Sequence, residues 1–226
     1  MNFEEGEVLL INKPLTWTSF DVVNKVRYAL KRKTGKKLKV GHAGTLDPLA
    51  TGLLLICTGK MTKEIEKFTG MDKEYTGTLL LGATTPSYDS EQAVDANYPT
   101  EHITAELLQE AVKTLTGTIQ QMPPMFSAIK VDGTVAYNAA RKGKEIALKP
   151  REVHIPEFEL TRVEMPEVDF RVKCSKGTYI RSLAHDFGKA VNSGAYLKTL
   201  CRTKVGSFDL QNAFSLEDML KKIEES

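Results

Sequence analysis

The sequence predicts an α+β fold, a mixed sheet with helices packed on its faces. Three observations lead there. Segments of strand period and of helical period alternate along the 226 residues, but irregularly, without the strict β-α-β repeat of a doubly wound sheet. No linker is long enough to divide the chain, so one domain over residues 1–226 is expected, with 210–226 as a short C-terminal helical extension. At 41% hydrophobic and 27% charged, a chain of this length buries an ample core without disulfides or metal.

In order along the chain, Glu7–Asn12 reads as a short strand. Ser19 is a candidate cap for a helix running to about Arg32, with Val22, Val23, Val26, Ala29 and Leu30 on one face. Val40–Pro48 is glycine-rich and aperiodic, hence a loop; Leu53–Cys57 is a buried strand, Lys60–Phe68 a short helix and Lys73–Leu81 a strand. Residues 84–100 hold turn formers and acids and read as a loop. Thr104–Leu115 has helical spacing, with Gly117 placed to end it. Pro123-Pro124 breaks the chain before a short strand at Ala128–Val131 and a short helix at Val135–Lys142. Glu152–Val163 and Asp169–Cys174 read as paired strands, Tyr179–Val191 as a helix, Tyr196–Phe208 as mostly strand, and Ser215 as the cap of a final helix.

Charge is polarised along the chain. Residues 22–40 carry eight Lys or Arg and no acid, and 171–204 carry eight against the single acid Asp186. Residues 85–110 carry six acids and no base. Basic runs suit a polyanionic partner, although one such run alone is more often a solvated helix face. Three cysteines with no CxxC spacing argue for a reducing compartment and against a zinc site. Cys57, inside an apolar run, reads as a small buried hydrophobe. With no signal-peptide pattern at Met1–Glu5 and no membrane-length apolar run, a cytoplasmic protein is expected; the sequence does not give the oligomeric state, and a monomer is the default.

The densest motif is Gly41-His42-Ala43-Gly44-Thr45-Leu46-Asp47-Pro48-Leu49-Ala50-Thr51-Gly52. Its glycines open backbone conformations closed to other residues, and Pro48 biases Asp47 toward an extended backbone that projects its carboxylate. An Asx turn is the plain alternative. No Gly-Lys-Ser/Thr follows, so this is not a phosphate-binding P-loop; nor is it a Gly-x-Ser-x-Gly elbow. His42, His102, His154 and His185 are scattered, which disfavours a metallohydrolase or zinc deaminase. A second motif, Cys174–Leu183, places Arg181 in the first turn of a helix, where the macrodipole disfavours a cation. A carboxylate could offset that; Asp47 is a candidate, and a surface pair with Asp186 is the bland option. Tyr75, in Lys73-Glu74-Tyr75, is either strand packing or a stacking platform for an unstacked base. The fourth motif, Pro123–Lys130, reads by itself as a rigid turn entering a strand.

Together these blocks resemble the TruB family of pseudouridine synthases. GHAGTLDPLATGLL resembles the family's catalytic motif, and KEYTGTLLLG, PPMFSAIKVDGTVAYNAAR and CSKGTYIRSLAHDFG resemble its other blocks, in order. The resemblance runs from about Gly6 to Phe208. It departs at Thr16, where the family usually has glycine, and the chain shows no C-terminal RNA-binding PUA domain. The resemblance implies the pseudouridine synthase fold, a mixed and largely antiparallel sheet flanked by helices and loops. It implies isomerisation of uridine at position 55 in the T-loop of tRNA, with the T-stem-loop as partner and no cofactor or metal. Asp47 matches the catalytic carboxylate, Arg181 the arginine that pairs with it, and Tyr75 the residue that stacks on the target base. His42, Tyr179 and Leu200 match substrate contacts; Lys31, Arg32, Lys33, Lys130 and Arg141 are candidates for the RNA backbone.

The chemistry is consistent with the missing cofactor motifs. Breaking a glycosidic bond, turning the base and rejoining it through carbon has no net redox change. It needs a group that can form or stabilise a transient species at sugar or base, which an ionised carboxylate can do, and a base flipped out of its loop. Two other readings stand beside it. A non-catalytic RNA-binding protein would bind tRNA without isomerising it. A hydrolase of a nucleoside or sugar would want a second carboxylate, which the Asp47 block lacks.

Overall fold

The structure, a computed structural model, describes residues 1–127, 129–131, 133–140, 143 and 146–226. The strands are β1 Val8–Lys13, β2 Val40–His42, β3 Ala50–Thr58, β4 Lys73–Leu81, β5 Ala83–Thr84, β6 Ala96–Asn97, β7 Gly117–Gln121, β8 Lys130–Val131, β9 Thr134–Val135, β10 Arg151–Ile155, β11 Glu157–Glu164, β12 Glu167–Cys174, β13 Ala195–Val205, β14 Phe208–Asp209 and β15 Phe214–Ser215. The helices are α1 Ser19–Thr34, α2 Ile65–Thr69, α3 Ala105–Thr114, α4 Ala136–Ala140, α5 Ile180–Ala190 and α6 Leu216–Glu225. They form two compact units, Met1–Thr76 with Leu200–Ser226, and Gly77–Thr199.

In the first unit β3 is the spine. Eight of its nine residues are buried, and it pairs antiparallel with β1 and β2 and parallel with Leu200–Arg202 of β13. β15 adds to β1 in parallel. A strand covered on both faces must be apolar on both, hence the continuous run Leu53–Cys57. Cys57 is fully buried, and burial pushes its thiol up to about 11, so it packs as a small hydrophobe. Helix α1 buries Val22, Val23, Val26, Ala29 and Leu30, as its spacing predicts. Its cap is Thr18 rather than Ser19: Thr18 Oγ1 accepts from Asp21 N at 3.0 Å, and Thr18 N donates to Asp21 Oδ2 at 2.9 Å. At the other end Gly35 adopts φ +70°.

In the second unit β11 and β12 form an antiparallel hairpin. Phe158 lies edge-to-face with Phe170 and with Phe187 of α5, at centroid distances of 6.1 and 5.8 Å. β10 pairs antiparallel with β7. So the single strand expected over Glu152–Val163 is two strands in different sheets, separated at Pro156, which has no N–H for a ladder. The strand β7 was missed, and Gly117 (φ +92°) opens it instead of capping α3, which ends on Leu115. Val40–His42, read as loop, is strand β2. Residue 128 of one expected strand, and 141 and 142 of one expected helix, lie outside the described residues.

The mixed, largely antiparallel sheet architecture is borne out. Among the described residues, no helix is long and apolar enough to cross a membrane.

Candidate active site

Asp47 sits, half-buried, in the loop joining β2 to β3. That loop is tied down at its backbone by residues distant in sequence. Ser19 Oγ donates to Leu46 O at 3.1 Å and accepts from Leu46 N at 2.8 Å. Thr16 N donates to Pro48 O at 2.8 Å, and Ala43 N to Leu55 O at 2.9 Å. Arg202, 1% exposed on β13, donates from Nε to Leu53 O at 2.8 Å and from Nη2 to Gly44 O at 3.2 Å. Lys13, fully buried at the end of β1, donates from Nζ to Trp17 O at 2.6 Å, Pro14 O at 3.0 Å and Pro48 O at 3.4 Å. Two buried cations thus hold carbonyls on either side of the carboxylate. Burial lowers the Lys13 amine to about 8, and the nearby Asp47 charge pulls it the other way.

Two local features follow. A Cβ on Gly52 would come within 2.3 Å of Arg202 O, so the glycine allows β3 and β13 to approach. Thr16, in a position where the resembled family has glycine, takes φ +69°, a strain on the order of 1 kcal/mol. Lys13→Met is expected to lower the unfolding free energy by about 1–3 kcal/mol, because it strands buried carbonyls. Urea denaturation checks this. The Lys13 amine holds its proton less firmly folded than unfolded, so wild-type stability should gain on the variant as pH rises from about 8 toward 10.5.

Three other expected residues share this unit. His42 lies at the end of β2 opposite Ile56, and burial pushes its imidazole down. Tyr75 is buried on β4. Leu200 of β13 pairs with Ala50, directly after the Asp47 loop.

Tyr179 and Arg181 lie in the second unit. Gln121, 1% exposed, accepts from Tyr179 N at 2.8 Å and donates to Tyr179 O at 3.1 Å, which sets the start of α5. Arg181 is in the first turn of that helix, as expected. Arg181 Nε lies 3.6 Å from Asp89 Oδ2, and Nη1 donates to Ser87 O at 3.4 Å, with both side chains under a tenth exposed. Asp89 is itself fixed: Oδ1 accepts from Ser87 Oγ at 2.6 Å and Glu91 N at 2.9 Å. A carboxylate held by further donors gives the guanidinium beside it a fixed place.

The basic run is partly spent within the fold. Arg32 pairs with Glu224, and Lys33 Nζ donates to Glu224 O at 2.8 Å; both bonds dock α1 on α6. Lys31 is exposed beside them. In the second basic run, Arg171 and Lys173 pair with Glu157. Lys130 is in β8, its side chain outside what is described; Arg141 lies outside the described residues. Among the described residues no cluster of His, Cys, Asp and Glu could hold a metal.

A family model described as the TruB family pseudouridylate synthase (N terminal domain) matches residues 31–180. A protein of Flavobacterium johnsoniae named tRNA pseudouridine synthase B is 60% identical over 94% of this chain and 93% of its own. A protein of the same name from Chloroherpeton thalassium is 50% identical over 97% of this chain and 91% of its own. Among solved structures, a Cbf5-Nop10-Gar1 complex matches with TM-score 0.74 and 27% identity, over 98% of this chain and 55% of that chain. An H/ACA RNP bound to a substrate RNA containing 2'-deoxyuridine matches with TM-score 0.70 and 25% identity, over 97% of this chain and 53% of that chain.

Proposed function

Since the chain belongs to the TruB family of pseudouridylate synthases, we propose that it isomerises uridine to pseudouridine at position 55 in the T-loop of tRNA. The observation that carries this reading is the Asp47 loop. Its backbone is tied to Lys13, Ser19 and Arg202, so the carboxylate is presented from a rigid frame, as a catalytic group must be.

In this reading Asp47 is the catalytic carboxylate, which forms or stabilises the transient species at sugar or base. Arg181 is the guanidinium that orients it, with Asp89 keeping the Arg181 fork in place. Tyr75 stacks on the extruded uracil, and His42, Tyr179 and Leu200 contact the substrate. Lys31 and its neighbours Arg32 and Lys33, with Lys130 and Arg141, contact RNA phosphates; Arg32 and Lys33 would do so while exchanging or sharing their Glu224 contacts. The reaction is redox-neutral and calls for no oxidising or reducing cofactor. The partner is the T-stem-loop, and the protein acts as a cytoplasmic monomer.

The test uses an unmodified tRNA transcript labelled with tritium at uridine C5, incubated with the pure protein alone. Pseudouridine formation moves the glycosidic bond to C5 and releases that hydrogen to solvent. Release mapped to the T-loop is the expected result. Tight tRNA binding without release would replace the enzyme with an RNA-binding protein.

A further inference from the structure

Arg181 and His185 lie four residues apart on α5, so their side chains stand one above the other on one face of the helix. Both meet the same short loop. Arg181 takes Ser87 O and the Asp89 carboxylate. His185 takes the residue between them: its ring lies 3.9 Å from that of Tyr88, at an interplanar angle of 11°. Two successive turns of one helix therefore grip three consecutive loop residues.

Tyr88 has φ +62°, a backbone conformation that costs a bulky non-glycine residue. That bend turns Ser87 O and Asp89 toward Arg181. Backbone bonds pin it on the far side, with Tyr88 N donating to Thr85 O at 3.1 Å and Leu197 N donating to Tyr88 O at 2.9 Å. On the helix side the described contact is the stack. Among the described residues, His185 Nδ1 is buried with no hydrogen-bond partner, so the face of this ring, and not that nitrogen, makes the contact with the loop. Burial lowers its pKa to about 4, so the ring that stacks is neutral at physiological pH.

From this geometry we infer that His185 is a positioning residue for the proposed reaction, acting through Tyr88 to hold the bend that fixes Arg181. The inference rests on the role proposed above for Arg181. Without the stack, the strained bend relaxes, Asp89 and Ser87 O move off the guanidinium, and the fork loses its aim.

The test compares wild type with His185→Leu, Tyr88→Leu, the double variant and His185→Phe, which keeps a flat ring. Single-turnover pseudouridine formation is measured well below each melting temperature, together with tRNA affinity. Each Leu variant should slow the chemical step by about tenfold, the scale of one aromatic pair, with tRNA affinity within about twofold. The double variant should be no slower than either single, since both remove one contact. His185→Phe should recover most of the rate. A second readout is the Nε–H NMR signal of Arg181, assigned through Arg181→Lys. It should broaden or vanish in His185→Leu and persist in His185→Phe. Wild type that releases no label would refute the proposed activity, and the NMR signal would still decide this inference. A sharp, unshifted Arg181 signal or an undiminished rate in His185→Leu overturns it, and so does a rate loss that His185→Phe fails to repair.

Discussion

Asp47→Asn is expected to abolish pseudouridine formation, by more than about 10⁴-fold, the scale seen when a covalent or charge-stabilising catalytic group is removed. The substitution is nearly isosteric. Several contacts that shape the loop come to its backbone, at Gly44, Leu46 and Pro48, from Arg202, Ser19, Thr16 and Lys13. The loop should therefore persist, and tRNA affinity should stay within about threefold of wild type, because phosphate contacts dominate it. Label release from C5-tritiated tRNA measures the first quantity and a filter-binding titration the second. Residual turnover within a hundredfold of wild type would take Asp47 out of the chemistry.

Arg181→Lys should lower the rate by about 10²–10³-fold, the usual consequence of losing one preorganised donor at a reacting centre. A lysine keeps the charge but cannot reproduce a fork whose Nε faces Asp89 while Nη1 meets Ser87 O. Arg181→Met adds a stability loss of about 3–5 kcal/mol, since it leaves the Asp89 carboxylate buried without its cation. Asp89→Asn attacks the same pair from the other side and should reproduce the rate loss of Arg181→Lys. Single-turnover rates and urea denaturation separate the two effects. Near-normal rates in both Arg181→Lys and Asp89→Asn would leave this pair a structural one.

Elements with strong periodicity could be read directly from the sequence. The apolar face of α1 and the buried run of β3 were both visible, because each period reports local geometry and burial together. Boundaries were less legible. The cap of α1 sits on Thr18 because Asp21 completes a reciprocal box there, which freed Ser19 for the Asp47 loop. Strand β7, Gly-Thr-Ile-Gln-Gln, has little apolar signal and exists through its pairing with β10. The acidic stretch 84–100, read only as loop, contains a carboxylate that pairs with Arg181.

What the sequence by itself determined was the local chemistry: a glycine-rich loop presenting Asp47, an arginine opening a helix, and the family to which such ordered blocks point. Those features are contiguous, so residue type and spacing carry them. Only the tertiary structure decided what holds each group. Lys13 and Arg202, nearly 190 residues apart, both hold carbonyls of the Asp47 loop. Asp89 reaches Arg181 across 92 positions, and Tyr88 meets His185 beside it. A buried charge or a strained bend persists only where folding supplies its partner, and that partner is chosen by proximity in space, which a linear sequence does not record.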